Sequence, residues 1–198
     1  MNTIVKSRPD RLVVGLSGAS GAILGIRLLE ALTNTAIETH LVISPAAQTT
    51  IAYETGWRIN SVLELASAHY SYNDLGACIA SGSFNTIGMV VIPCSIKTLS
   101  AIANSYSQDL LTRAADVNLK EGRPVILVTR EAPLHHGHIQ LMERATLAGA
   151  VIFPPVPAFY AQPKNLDEIV DNIVGRVLAR IDIQNNLYQE WDGRIAPQ

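Results

Sequence analysis

A chain of 198 residues that is 48% hydrophobic and 16% charged is long enough to bury one α/β core and too short to expect two. Its formal charge of -2 and pI near 6.2 leave no global basic footprint, so no nucleic-acid partner is expected and any anion site must be local. The first ten residues hold no apolar signal core, and no apolar run reaches the roughly 18 residues of a spanning helix; the expectation is a cytoplasmic protein with no membrane partner. So few charges to solvate the surface favour burying some faces between subunits, which predicts a homo-oligomer. Cys78 and Cys94 are too few and too far apart for a zinc site or a disulfide framework and read as two buried structural thiols.

Residues 11 to 25 organise the chain. Leu12, Val13, Val14 and Leu16 suit a strand buried on both faces, and the small residues that follow read as a tight loop and a helix start. Gly15, Gly18 and Gly21 let the backbone approach a ligand, and Ser20 is placed to cap the next helix. A phosphate against Gly18, Ala19 and Ser20 would be held largely by backbone N–H groups and the positive end of the helix dipole. The spacing gives no G-x-G-x-x-G, no P-loop and no G-x-S-x-G, which excludes the dinucleotide fingerprint, the Walker loop and the nucleophile elbow.

Residues 20 to 33 carry a largely apolar helix, and 37 to 44 a second strand. Ser44-Pro45 opens another helix with proline at its tolerated first position. Glu54 falls near that helix's end, where the dipole disfavours a carboxylate, so it is either exposed or held by a cationic or protic group. Residues 56 to 80 are the least regular stretch and read as a short helix, a loop and a further turn. Ile87 to Pro93 is a branched apolar run suited to a central parallel strand, and Ser95-Ile96-Lys97-Thr98 then opens a helix. This repeats the first loop's logic, so two such loops face one crevice.

Residues 108 to 121 read as a helix with Arg113 and Lys120 on nearly one face, toward solvent or an anion. Pro124 to Thr129 is another buried strand, with Arg130-Glu131 at its carboxyl end, where open α/β sheets bind ligands. His135-His136-Gly137-His138 lacks the carboxylate or thiolate company usual at a metal site, so no metal is expected. A helix over 139 to 148 and a last strand over 150 to 153 follow. Four of the ten prolines fall within 154 to 163, around Phe159-Tyr160, and stiffen a segment suited to a subunit contact or a wall of the site. The final helix has Leu166, Ile169, Val170, Ile173, Val174, Val177, Leu178 and Ile181 at helical spacing, opened by Asn165 with Glu168 as a variant capping box. Arg176 and Arg180 lie in its last turns, where the dipole favours cations, and Trp191 lies in the tail beyond.

Six ordered blocks carry a family resemblance over nearly the whole chain: Gly15-x-Ser17-Gly-Ala-Ser-Gly21, Ser81-Gly82-Ser83, Pro93-Cys94-Ser95-x-x-Thr98-Leu99-Ser100, Arg113-Ala-Ala-Asp116 with Leu119-Lys120-Glu121, Arg130-Glu131-x-Pro133, and Pro157-x-Phe159-Tyr160-x-x-Pro163. Together they resemble the UbiX/phenylacrylic acid decarboxylase family of flavin prenyltransferases. The resemblance implies a flavodoxin-like, Rossmann-like three-layer sandwich with a central parallel sheet. It also implies one flavoprotein domain over 1–198, with a tail from about 182 that contacts a neighbouring subunit or the site. The assembly implied is a dodecamer with sites between subunits. The reaction implied is a metal-independent transfer of dimethylallyl from its monophosphate to reduced FMN, with prenylated FMN made for a UbiD-type decarboxylase.

Carried over by motif, Gly18, Ala19, Ser20, Ser44, Ser95, Ile96, Lys97, Thr98 and Arg130 contact FMN. Lys120, Arg130, Tyr160 and Arg176 receive the dimethylallyl phosphate, joined by Arg113, while Trp191 closes the site from the tail. Glu54 and Glu131 are the acid/base residues, and Ser20 sits near the reacting ring. With no D-D-x-x-D to hold a magnesium ion, Lys and Arg must stabilise the departing phosphate. Attack by flavin N5 and ring closure at C6 require loss of a proton, for which Glu131 or the departing phosphate is the base. The aromatic faces of Tyr160 and Trp191 favour a carbocation. Leu24, Leu75 and Gly122 depart from residues common in relatives. Two competing readings are an FMN-dependent aromatic acid decarboxylase and a non-catalytic FMN carrier.

Overall fold

In a computed structural model, which describes residues 10–191 and 193, six parallel strands form one sheet in the order β3-β2-β1-β4-β5-β6. The strands are β1 (Arg11–Leu16), β2 (Glu38–Ile43), β3 (Ala68–Tyr70), β4 (Gly88–Cys94), β5 (Val125–Thr129) and β6 (Ala150–Ile152). Without the three-residue edge strand β3, the remaining five run in the doubly wound 2-1-3-4-5 order of flavodoxin-like proteins. The order reverses between β1 and β4, which places a ligand crevice at their carboxyl ends.

The strand sequences explain why both faces are covered. Leu12, Val14 and Leu16 alternate with Val13 along β1, and every one of them is inaccessible to solvent. The first set packs with Val90, Ile92, Ile126 and Val128 against α1 (Ala22–Leu32), α2 (Pro45–Glu54), α3 (Ile59–Glu64) and α7 (Leu166–Ala179). The second packs with Met89, Val91, Val125 and Leu127 against α4 (Ile96–Ala103), α5 (Leu110–Lys120) and α6 (His136–Leu147). The result is the expected three-layer α/β sandwich. The period of α7 is borne out: Val170, Ile173, Val174, Val177 and Leu178 are buried, while Leu166 at its first turn is exposed.

Four expectations need correction. Ser20 does not cap α1: the helix begins at Ala22, with Gly21 at the cap in a left-handed conformation (φ 99°) and no capping side chain of its own. Cys78 is exposed rather than buried, whereas Cys94 is buried as expected. The stretch 56 to 80 contains a strand, β3, as well as the expected short helix. α6 also starts three residues earlier than expected, because the His135 imidazole accepts the Gly137 N–H at 3.0 Å and serves as its cap.

Candidate active site

Four strand ends deliver the candidate residues to one edge of the sheet. β1 ends into Ser17-Gly18-Ala19-Ser20, β2 into Ser44, β4 into Ser95 and β5 into Arg130-Glu131. Ser17, 1% exposed, ties two of these ends together. Its hydroxyl donates to the Pro93 carbonyl at 2.9 Å and accepts the Ser95 N–H at 2.7 Å. Ser44 docks beside them: its N–H donates to the Leu16 carbonyl at 2.9 Å, and its hydroxyl caps α2 by accepting the Ala47 N–H at 3.1 Å. Ser95 caps α4 in the same way, accepting the Thr98 N–H at 3.3 Å and donating to the Thr98 hydroxyl at 3.1 Å. The first loop and α2 approach so closely that a Cβ on Gly18 would lie 2.3 Å from that of Ala46. Only glycine fits there.

These caps leave a defined donor set. Among the described residues, the N–H groups of Gly18, Ser20, Ala46, Ile96 and Lys97 have no acceptor. They belong to the first loop and to the starts of α2 and α4, where helix dipoles add to them. Unpaired amides with Ser and Thr hydroxyls beside them match the chemistry of a phosphate monoester such as that of FMN.

Glu54 does what Ser20 was expected to do. Its carboxylate accepts the N–H of Gly21 at 2.7 Å and of Ala22 at 3.3 Å, bridging the end of α2 to the start of α1. Partial burial pushes its carboxyl pKa up, but the Gly21 amide, the Ser20 hydroxyl, the Ala22 amide and the Arg130 charge outweigh that and hold it below its ordinary value. The protic partner the sequence reading left open is thus the backbone of α1. Arg130 is fixed by its N–H, which donates to the Cys94 carbonyl at 3.2 Å, and Glu131 beside it accepts the Ala132 N–H at 3.1 Å. Both side chains are exposed.

The remaining predicted residues fall into two other places. Tyr160, Arg176 and Trp191 gather where the tail runs back over α7. The Tyr160 hydroxyl donates to the Gln189 carbonyl at 3.4 Å, its ring meets that of Trp191 edge to face at 5.5 Å, and the Arg176 guanidinium lies 6.0 Å from the Tyr188 ring centre. Lys120 lies at the amino edge of the sheet: α5 ends there, and Asn118, one half-turn earlier, accepts from Thr86 at the entry to β4. The five residues of β5 alone separate that edge from Arg130 by ~17 Å. Lys120 pairs with Glu121, and Arg113 bonds the Ala80 carbonyl at 3.2 Å and Asp116 at 2.9 Å. One chain therefore does not bring Lys120 to Arg130.

Among the described residues, no group of three His, Cys, Asp or Glu side chains comes together to hold a metal ion. In the histidine run, the rings of His135 and His138 lie tilted by 37° against each other with centres 3.7 Å apart. Sequence reasoning missed Ser17 as the tie and Ala46 as the wall against Gly18. The available signal was a hydroxyl residue directly after a fully buried strand, followed by a glycine.

A doubly wound parallel sheet with unpaired loop amides at its switch point defines a mononucleotide-binding α/β protein. A family model described as Flavoprotein matches residues 2–178. The flavin prenyltransferase UbiX of Thauera aromatica is 55% identical over 183 residues, covering 92% of this chain and 94% of that protein. The crystal structure of AnUbiX in complex with FMN and dimethylallyl pyrophosphate superimposes with a TM-score of 0.93 at 46% identity, covering 95% of this chain and all of that one. A dodecameric FMN-dependent UbiX-like decarboxylase from Escherichia coli gives a TM-score of 0.90 at 46% identity, over 92% of this chain and 100% of its own. The chain belongs to the flavoprotein family, in its branch of UbiX flavin prenyltransferases. Among the described residues, no helix is long and apolar enough to cross a membrane.

Proposed function

We propose that this protein, as one flavoprotein domain, transfers the dimethylallyl group of dimethylallyl monophosphate to reduced FMN and supplies prenylated FMN to a UbiD-type decarboxylase. The observation that carries the reading is the donor set of Gly18, Ser20, Ala46, Ile96 and Lys97 beside Arg130 and Glu131 at one sheet edge. It occurs in a chain 46% identical to a protein seen with both FMN and dimethylallyl pyrophosphate. Reduced FMN supplies the nucleophile when bound.

The protein's residues have separable tasks. Gly18, Ala19, Ser44 and residues 95 to 98 hold the flavin by backbone amides and hydroxyls, and Ser20, whose hydroxyl helps to keep the Glu54 pKa low, presents that hydroxyl near the ring. Arg130, Arg176 and Lys120 stabilise the charge that grows on the departing phosphate, with Arg113 behind Lys120 on α5. Tyr160 and Trp191 offer aromatic faces to an electron-poor allyl group. Glu131, exposed at the end of β5, takes up the proton lost when the new ring closes. Since Lys120 stands at the far edge of its own sheet, it serves the site of a neighbouring copy, in keeping with a dodecamer whose sites lie between subunits. The setting is cytoplasmic, the reducing compartment in which reduced flavin and the unpaired thiols of Cys78 and Cys94 persist.

The departures from common family residues are compatible with this. Leu24 is buried beneath the first loop, Gly122 takes a left-handed turn (φ 68°) that ends α5, and Leu75 is half-exposed on the loop before the Cys78–Ala80 turn. Anaerobic incubation with reduced FMN and dimethylallyl monophosphate should release one inorganic phosphate per flavin and none without flavin. Flavin binding without phosphate release would leave a carrier, and carbon dioxide release from cinnamate-type acids by this protein alone would leave a decarboxylase.

A further inference from the structure

The tail packs into a notch in the last helix. A Cβ built on Gly175, inside α7, would lie 2.8 Å from Asn185 Oδ1, 2.9 Å from Leu187 Cβ and 3.0 Å from Tyr188 Cδ1. Asn185 fills that notch with its full amide. Its Nδ2 donates to the Gly175 carbonyl at 3.0 Å and to the Ile183 carbonyl at 3.1 Å, and its Oδ1 accepts the Leu187 N–H at 3.1 Å. The stretch around it alternates like a strand: Ile181 and Ile183 are buried, Asn185 and Leu187 are partly buried, and Asp182, Gln184 and Asn186 are exposed. Asn185 is the polar rivet in an otherwise apolar inward row.

The next residues carry this anchoring to the proposed phosphate end of the site. Tyr188 faces the Arg176 guanidinium, one residue along α7 from the notch, at a distance where a ring face still attracts a cation. Gln189 takes the Tyr160 hydroxyl, and Trp191 packs on the Tyr160 ring. Among the described residues Arg176 pairs with no carboxylate, which leaves its charge for an anion. A long, flexible cation held by one ring and a strap loses less freedom when it binds phosphate than one that must be ordered in the act.

We infer that Asn185, seated in the Gly175 notch, is a positioning residue that holds residues 187–191 against α7 and thereby sets Arg176, Tyr160 and Trp191 toward the dimethylallyl phosphate. This rests on the reading of Tyr160 and Arg176 as substrate residues. It concerns the donor side of the reaction and not the flavin cradle, which lies on the loops after β1, β2 and β4.

Gly175→Ala and Asn185→Ala break the clamp from opposite sides. Alanine is a better helix residue than glycine, so the first change fills the notch without weakening α7 itself. With Trp57→Phe as background, Trp191 is the sole tryptophan, and its emission anisotropy and acrylamide quenching report the tail directly. The expected result in both variants is a more mobile Trp191 and a KM for dimethylallyl monophosphate raised roughly ten-fold, with FMN affinity and kcat within about two-fold of the parent. An unchanged Trp191 signal, or a released tail with unchanged KM, overturns the clamp. Arg176→Gln separates the two claims. If it too leaves KM unchanged, the substrate reading fails and the clamp with it; if it raises KM while Gly175→Ala and Asn185→Ala do not, the clamp alone fails.

Discussion

Replacing Glu54 by glutamine or alanine tests whether this carboxylate works as an ionised cap. The two bonds it accepts, from Gly21 at 2.7 Å and Ala22 at 3.3 Å, satisfy the first amides of α1, which has no capping side chain of its own. Glutamine keeps an acceptor oxygen and loses the charge, which at an exposed helix start is worth about 0.3–1 kcal/mol. Alanine loses both, about 1–2 kcal/mol on the scale of helix caps. For a chain of this size the alanine change corresponds to a Tm lower by roughly 2–8 °C at neutral pH and fixed protein concentration. The Glu54 pKa is lowered by folding from an ordinary value of 4.5. Its contribution is therefore fully present above that value and is lost as pH falls through the folded one. The Tm gap between parent and Glu54→Gln should be widest near neutrality and close on acidification below about pH 4.5. A gap that persists unchanged at acid pH, or none at pH 7, would refute the charge argument.

Ser17→Ala should cost about 1–3 kcal/mol by denaturant unfolding, since it strands the Ser95 amide and leaves the Pro93 carbonyl with the Ser17 N–H alone, and should weaken FMN binding by loosening residues 95 to 98. Wild-type stability with wild-type flavin affinity would show that the tie between β1 and β4 is dispensable. Lys120→Ala and Glu131→Gln should each be nearly inactive as pure oligomers. After unfolding and co-refolding in equal amounts, about a quarter of sites draw an intact Lys120 and an intact Glu131 from different copies, so activity should return to that level. No recovery would place both residues in the site of one chain.

How much of this was legible in the sequence depended on whether the determining contact was local. The strands β1, β4 and β5 were legible because Leu12–Leu16, Met89–Ile92 and Val125–Val128 are buried on both sides and so must be continuously apolar. β3 was not, since Ala68-His69-Tyr70 lies at the edge, pairs for only three residues and needs no such run. Loop starts at 18–20, 95–98 and 130–131 followed from the rule that ligands sit at strand carboxyl ends. Ser20 as a cap failed because the actual partner, Glu54, comes from 33 residues further along the chain. The Ser17 tie spans 76 residues and leaves no local signature. The seven-residue spacing of Arg113 and Lys120 said that they share a helix face, but only the topology shows that α5 carries Lys120 away from Arg130 to the opposite edge.

The mass of the flavin after turnover tests the central claim most directly. Reduced FMN incubated without oxygen with this protein and dimethylallyl monophosphate, then extracted and weighed by mass spectrometry, should be heavier by one C5H8 unit. A flavin of unchanged mass under conditions where it stays bound and reduced would contradict the assignment of prenyl transfer to this crevice.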